Sequence, residues 1–160
     1  MTIFDTLKRS ELFLGLENKD IEKIVGLPSC RIVAYTDGAT IFKEGEEASE
    51  FFILEEGKVS LIIGIRADES GGEQQTEWRT ITRGGIFGWT ALIPPHIRIG
   101  AAVSRGASKV VCINGRELRM LFDNDTQVGY EVMKSLVRVI GSRVWNIEKL
   151  LATGKRSPFI

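Results

Sequence analysis

The sequence predicts a mainly β fold, a sandwich or jelly-roll barrel, with helices at both ends. The first observation is a central series of short runs rich in β-branched and aromatic residues, between residues 31 and 113. The second is the regular punctuation of these runs by glycine turns, which is typical of antiparallel β folds. The third is a change to helical spacing of the apolar residues on either side of this region.

A helical cap is predicted over residues 4–27. Apolar residues recur at helical spacing from Thr6 to Leu27, and Gly15 divides them into two pieces. We predict that Asn18 caps the second piece, because an asparagine side chain accepts hydrogen bonds from the first free amides of a helix. Gly26 and Pro28 are predicted to end that piece.

The barrel is predicted over residues 30–113. Strands are expected at residues 31–36, 40–42, 51–54, 58–66, 76–82 and 109–113. Turns are expected at Asp37-Gly38, Gly45, Glu56-Gly57 and Gly71-Gly72. The polar segment from Ala67 to Gln75 is predicted to be a hairpin tip.

Two helices are predicted over residues 114–153. Asn114 can cap a helix from Gly115 to Phe122, and Asp123 or Asp125 can cap a long helix that ends at about Thr153, before Gly154.

The long helix carries two apolar stripes. One stripe is suited to docking on the barrel and consists of Val128, Val132, Leu136 and Val139. The other has heptad spacing and consists of Met133, Val137, Ile140, Val144, Ile147 and Leu151. A heptad stripe is typical of helix pairing, so we expect a homodimer through this helix. The alternative is that both stripes form one wide face buried within a single chain.

Composition favours a single domain over residues 1–160, in the cytoplasm. Lysine plus arginine equals aspartate plus glutamate, at 21 each, so net charge does not indicate nucleic acid or an anionic membrane as partner. No secretory signal or membrane-length apolar run is present.

The single histidine argues against a multi-histidine metal centre. No nucleophile and base are placed together, so we expect no enzyme, no catalytic residue, no metal and no cofactor. Cys30 and Cys112 are expected to be reduced core thiols.

The stretch from Gly84 to Val103 predicts an anion site. A short helical segment, Trp89 to Ile93, is stopped by Pro94-Pro95 and followed by Arg98. The first amides of such a segment have no internal partners, so they can face an anion. Arg98 can close the cradle, or alternatively it is a solvated arginine at a strand start.

Two motifs and the order of elements resemble the cyclic nucleotide-binding domain of catabolite-activator-type regulators, protein kinase A regulatory subunits and gated channels. Residues 38–46, Gly-Ala-Thr-Ile-Phe-Lys-Glu-Gly-Glu, resemble a family turn, and Gly45 and Gly57 have the spacing of two family barrel glycines. Residues 87–93, Phe-Gly-Trp-Thr-Ala-Leu-Ile, followed by Arg98, resemble the family's phosphate-binding cassette. The resemblance covers about Leu7 to Leu151 and implies a double-stranded β-helix (jelly-roll) barrel.

The resemblance also implies a binding site. Arg98 would pair with the exocyclic oxygens of a cyclic phosphate, and the amides around Thr90 to Leu92 would add hydrogen bonds. The ligand-binding residues expected from it are Phe87, Gly88, Trp89, Thr90, Ala91, Leu92, Arg98 and Ile99.

Two positions depart from the cassette. Trp89 stands where the family has a glutamate that holds the ribose 2′-hydroxyl, and Ile99 stands where a small hydroxyl residue is common. The indole has only a donor, so it cannot accept that hydrogen bond. A hydrogen bond to a charged group is worth about 1.5–3 kcal/mol, so its loss weakens ribose binding roughly 10- to 100-fold.

Two functions remain open from the sequence. The first is a regulatory or sensor module that binds a small phosphate-bearing ligand such as a cyclic nucleotide and signals by moving its C-terminal helix. The second is a degenerate domain that no longer binds nucleotide and acts in protein interaction or dimerisation. Direct DNA binding is not expected, because only about seven residues follow Thr153.

Overall fold

The computed structural model describes residues 2–66 and 72–154 of the chain. Ten helices and strands are described, together with a short 3₁₀ turn, Trp89–Ala91, that lies between β5 and β6. The bounds are α1 Ile3–Arg9, α2 Asn18–Val25, β1 Arg31–Tyr35, β2 Thr40–Phe42, β3 Glu50–Arg66, β4 Glu73–Ile81, β5 Ile86–Phe87, β6 Ala101–Asn114, α3 Gly115–Asn124 and α4 Thr126–Thr153. The predicted mainly β class with helices at both ends is confirmed.

The strands form one antiparallel sheet around two long central strands. The order is β1-β6-β3-β4, with β2 also on β6 and β5 also on β3. Successive residues of β3 face opposite sides: Phe51 and Ile53 pack with the helices, whereas Phe52 and Leu54 pack inside the barrel. This alternation follows from the two-residue period of a strand.

The turn predicted at Glu56-Gly57 is wrong, because β3 continues through both residues. Its ladder with β6 shifts register on either side of Glu56, as at a β-bulge. Gly57 has φ +98°, and a Cβ there would lie 2.5 Å from the carbonyl oxygen of Ala107, so only glycine fits. β6 begins at Ala101, well before the predicted strand start at Lys109.

Two other parts of the barrel differ from the prediction. The strand β5 was not predicted. The expected hairpin tip from Ala67 to Gln75 falls partly on β4, which already begins at Glu73, and residues 67–71 lie outside the described part of the chain.

The helix caps are mostly as predicted. Oδ1 of Asn114 accepts from the amide of Glu117 at 3.1 Å, and Oδ1 of Asp125 accepts from the amide of Val128 at 3.3 Å. Gly154, with φ +63°, ends α4. The prediction for Asn18 is wrong: Asn18 is the first residue of α2, and Glu17 at the cap position makes no side-chain capping bond.

α4 packs on the core with only its first part. At about 1.5 Å per residue, its 28 residues extend about 42 Å. Val128, Val132 and Leu136 are buried, as the docking stripe predicts. The heptad stripe is only partly covered: Met133 and Ile140 pack against the core, whereas Val137 is 70% and Leu151 is 77% exposed. The two stripes therefore do not form one wide buried face.

Candidate functional site

The predicted cassette folds as a tight turn at the end of β5. Gly88 has φ +70° and leads into the 3₁₀ turn Trp89–Ala91. The amides of Ala91 and Leu92 donate to the carbonyls of Gly88 and Trp89, at 3.1 and 2.9 Å. Within the described residues, the amides of Trp89 and Thr90 have no backbone acceptor. Two N–H groups at the start of the turn are therefore available to an anion.

Arg98 reaches back to this turn from the segment before β6. Its side chain is buried, at 4% exposure. Nη1 donates to the carbonyl of Gly88 at 3.0 Å and lies 3.5 Å from Oγ1 of Thr90, while Nη2 donates to the carbonyl of Glu50 at 2.6 Å. Arg98 therefore ties the cassette to the start of β3 and is not a solvated strand-start arginine.

The guanidinium of Arg98 stacks on the aromatic core of the barrel. Its central carbon lies 4.1 Å from the ring centroid of Phe42 and 5.4 Å from that of Phe52. Phe52 in turn stacks on Phe87, with centroids 5.0 Å apart. Because an arginine over an aromatic face is attracted by the ring quadrupole, this stack fixes the plane of the guanidinium.

The charge of Arg98 is not balanced by a contacting carboxylate. Among the described residues it forms no ion pair, and its Nε is buried without a hydrogen-bond partner. Burial lowers the pKa of Arg98 to about 10, and the charges of Glu46 and Glu50 act in the opposite direction. The carboxylate of Glu50 itself pairs with Arg31 at 2.6 Å. Arg98 thus remains a cation at neutral pH, and an unpaired buried cation is stabilised by a bound anion.

A cavity of about 570 Å³ lies between the barrel and α4 and takes in the cassette. Of the expected site residues, five line it: Gly88, Trp89, Thr90, Arg98 and Ile99. The other three, Phe87, Ala91 and Leu92, have buried side chains that pack in the core. The cavity has the size of ordinary small-molecule sites.

Two further walls of the cavity come from residues that the sequence did not single out as site residues. The barrel supplies Phe42, Leu61, Ile63, Trp78, Arg79 and Gly100. The second half of α4 supplies Ile140, Arg143, Val144, Asn146, Ile147 and Leu150. No acidic residue lines this cavity within the described part of the chain. The cavity can therefore bind an anionic group at the cassette and the apolar part of a ligand at its other walls.

The match to a family model decides the classification. The model of the cyclic nucleotide-binding domain matches residues 32–125, more than half of the chain, including the turn at residues 38–46 and the cassette. The chain belongs to the cyclic nucleotide-binding domain family. This family is a regulatory nucleotide-binding domain and not a catalytic one.

Similar proteins agree with this membership. The chain is 34% identical over 99 residues to human cGMP-dependent protein kinase 2; the match covers 61% of this chain and 12% of the kinase. The chain therefore spans only a small part of that relative's length.

Solved structures show the fold. A protein of Geobacter metallireducens GS-15 is similar at TM-score 0.73 and 24% identity, covering 90% of this chain and 99% of that one. The regulatory domain of Toxoplasma gondii PKA, solved with cAMP, is similar at TM-score 0.69 and 24% identity, covering 88% of this chain and 49% of that one. These likenesses confirm the predicted jelly-roll barrel of the cyclic nucleotide-binding domain.

Both departures from the family cassette lie at the cavity of this cyclic nucleotide-binding domain. Trp89 is half-buried and packs partly against the helical side of the core, so its indole leaves the cavity open. Ile99 is 54% exposed at the cavity wall. The two positions at which, by the resemblance, a glutamate and a small hydroxyl residue are expected therefore carry an indole and an aliphatic side chain at the cavity wall.

The described residues contain neither a membrane-spanning helix nor a cluster of metal-binding side chains. In residues 2–66 and 72–154, no helix has the length and hydropathy needed to cross a membrane. Within the same ranges, no three histidine, cysteine, aspartate or glutamate side chains are grouped to hold a metal ion.

Proposed function

We propose that the chain is a regulatory module that binds a small anionic ligand, such as a cyclic nucleotide, in the cavity between barrel and α4. The observation that carries this proposal is Arg98: a buried guanidinium without a contacting carboxylate among the described residues, with an unpartnered Nε, at the wall of a 570 Å³ cavity. The family membership and the cAMP bound to the similar Toxoplasma domain support a cyclic phosphate as one such ligand.

Signalling through α4 follows from how the helix is held. Its first part is anchored in the core by Val128, Val132 and Leu136, whereas its second part forms one wall of the cavity. A ligand that contacts both the barrel and this second part binds one helix position better than another. Such a difference in affinity is what shifts the helix between positions.

The exposed residues of the heptad stripe support a homodimer as part of this proposal. Val137, Val144 and Leu151 are seven residues apart and each is at least 46% exposed. Apolar residues at this period pair with the same stripe of a second helix. A second copy of the chain is thus the proposed occupant of this face.

The remaining expectations from the sequence stay predictions. We expect no catalysis, because among the described residues no acid lines the cavity and no nucleophile and base are paired there. A cytoplasmic location and a single domain over residues 1–160 are likewise predicted.

Calorimetry tests the proposal. Cyclic AMP, cyclic GMP and a cyclic dinucleotide are titrated into the wild-type chain and into Arg98→Lys, which keeps the charge but cannot make both carbonyl contacts. We expect saturable binding of at least one ligand and a loss of about tenfold or more in Arg98→Lys. Arg138→Lys, an exposed arginine of α4, is the matched control and should bind like wild type. No heat at millimolar concentrations of all three ligands would remove cyclic nucleotides from the proposal.

A degenerate domain that has lost its nucleotide is the second candidate. The apolar side chains of Trp89 and Ile99 at the cavity favour it. It predicts the same calorimetric trace for wild type and Arg98→Lys with every anionic ligand, together with a dimer whose stability does not depend on added ligand.

A further inference from the structure

We infer that the cavity is built for an organic anion with an apolar body, such as an aromatic carboxylate, whose charged group lies between Arg79 and Arg143. This inference rests on the proposed function and specifies its ligand class. The charged group would lie on residues of β4 and α4, outside the cassette.

The lining of the cavity favours an apolar ligand body. Apart from the arginines and the cassette, the described walls carry mainly aliphatic and aromatic side chains, among them Leu61, Ile63, Trp78, Ile140, Ile147 and Leu150. Apolar surface buried against such walls contributes roughly 25 cal/mol per Å². A ribose and a purine edge would instead bring several hydroxyl and amino groups, for which Thr90 and Asn146 are the only neutral polar side chains among the described lining residues; polar groups left unpaired there cost free energy.

Two arginines provide the anion site on these walls. Arg79 and Arg143 both line the cavity, and among the described residues neither forms an ion pair. Burial lowers the pKa of Arg143, the positive charge of Arg79 lowers it further, and the charge of Glu11 acts in the opposite direction. Two like charges at the wall of one apolar cavity repel, and an anion bound by both offsets that repulsion.

The positions of the two arginines follow from the fold. β4 bulges against β3: Leu61 pairs with Arg79 and Ile62 with Glu77, which leaves Trp78 as the extra residue. Because of this bulge, the consecutive residues Trp78 and Arg79 both face the cavity. Arg143 lies one turn from Ile140 and one turn from Ile147 on α4, so all three share a helix face. An anion bound by both arginines would connect β4 to the second half of α4, the part of the helix that is proposed to move.

Arg98 is less suited to be the sole anion anchor. Each of its terminal nitrogens already donates one hydrogen bond to a backbone carbonyl, that of Gly88 or that of Glu50, so part of its five N–H groups is committed to the fold. Arg79 and Arg143 have no such commitments among the described residues. Arg79 and Arg143 together therefore offer more unused guanidinium N–H groups than Arg98 does.

Three probes that differ in one property each test the inference. 2-Naphthaleneacetate has the apolar body and the charge, 2-naphthaleneacetamide has the body alone, and acetate has the charge alone. We expect saturable calorimetric binding of 2-naphthaleneacetate, with binding of the amide and of acetate weaker by about tenfold or more, since a charged hydrogen bond supplies that factor.

Variants then locate the charge. Arg79→Gln and Arg143→Gln should each weaken 2-naphthaleneacetate about 10- to 100-fold while leaving the amide unchanged. Arg138→Gln, an exposed arginine on the same helix, should leave both probes unchanged. Thermal melts of each variant check that the fold is retained; the amide also serves as an internal measure of an intact apolar cavity.

The outcomes separate this inference from the proposed function. Equal binding of anion and amide, or unchanged binding in both glutamine variants, would overturn the inference. Cyclic nucleotide binding that depends on Arg98, with no binding of 2-naphthaleneacetate, would overturn the inference and leave the proposed function standing. If neither a cyclic nucleotide nor 2-naphthaleneacetate binds, both are overturned.

Discussion

The guanidinium carbon of Arg98 lies 4.1 Å from the ring centroid of Phe42, and the two terminal nitrogens of the same side chain donate to the carbonyls of Gly88 and Glu50. The arginine that the cassette motif assigns to the ligand is thus also a structural tie. It holds the loop after β5 against the start of β3. Its substitution should therefore affect stability as well as binding.

Replacement of Arg98 by alanine should lower the free energy of unfolding by about 2–4 kcal/mol. The change removes two charge-assisted hydrogen bonds, worth about 1.5–3 kcal/mol each, and relieves part of the cost of a buried charge. Urea unfolding followed by circular dichroism measures it. Arg138→Ala, on an exposed face of α4, is expected to change stability by less than about 0.5 kcal/mol. Equal stability of wild type and Arg98→Ala would show that the tie contributes nothing.

Gly88→Ala should be more destabilising than Gly106→Ala. Both glycines have similar positive φ, +70° and +73°, so both pay about 1–2 kcal/mol for a Cβ in the left-handed region. A Cβ at Gly88 would also lie 2.7 Å from the ring of Phe52 and 2.9 Å from Nη1 of Arg98, whereas at Gly106 nothing lies within 4 Å. The additional overpacking should cost about 1–3 kcal/mol. Identical unfolding midpoints for the two variants would contradict the geometry of the cassette.

Trp89→Glu should raise the affinity for cyclic AMP about 10- to 100-fold. The substitution restores the carboxylate that, by the family resemblance, accepts the ribose 2′-hydroxyl bond. Trp89→Leu removes the indole without adding an acceptor, so it separates the effect of the hydrogen bond from that of lost bulk. Calorimetry with cyclic AMP provides the measurement. A gain in Trp89→Leu as large as in Trp89→Glu would assign the effect to space alone.

Val137→Glu and Leu151→Glu should convert the proposed dimer into a monomer. Both side chains are at least 70% exposed in the single chain, so a charge there leaves the chain's own packing intact and acts only on a second copy. Sedimentation equilibrium should give twice the mass of one chain for wild type and one chain mass for each variant. Arg138→Glu, which lies beside the stripe, is the control. A wild-type protein that is monomeric at high micromolar concentration would contradict the proposed dimer.

Cys30 and Cys112 should react slowly with iodoacetamide at pH 8 in the native state and quickly in denaturant. Both thiols are free, and burial raises the pKa of Cys30 to about 11 and that of Cys112 to about 12. Because the thiolate is the nucleophile, roughly one Cys30 thiol in a thousand is reactive three pH units below its pKa. Mass spectrometry measures how fast each cysteine is alkylated. Rapid alkylation of either residue in the native protein would contradict the raised pKa values that follow from burial.

The parts of the fold that depend on local chemistry were predictable from the sequence. Asn114 was identified as a cap, and Asp125 as one of two candidates with Asp123, because a capping side chain acts within three residues of its own position. The docking stripe of α4 was identified from helical spacing alone. The Glu56-Gly57 pair was misread as a turn, since a glycine at positive φ serves a hairpin and a bulge equally well, and only the long ladder between β3 and β6 distinguishes them.

The candidate site was predictable where a motif is contiguous and not where tertiary structure assembles it. Arg98 and the residues from Gly88 to Thr90 were found by the spacing of the cassette. Arg79 and Arg143 lie on β4 and α4, far apart in the chain, and only the packing of the helix over the barrel brings both to one cavity. A bulge in β4 turns Arg79 inward, and no sequence signal indicated that bulge.

Ile140, Val144 and Ile147 belong to the heptad stripe and also line the cavity. The proposed ligand and the proposed second copy of the chain would therefore contact the same helical side chains. By thermodynamic reciprocity, any effect of one event on the free energy of the other is matched by an equal effect in return. Such a coupling would make the dissociation constant of the ligand depend on protein concentration, and the direction of that dependence would tell whether the ligand favours one chain or two.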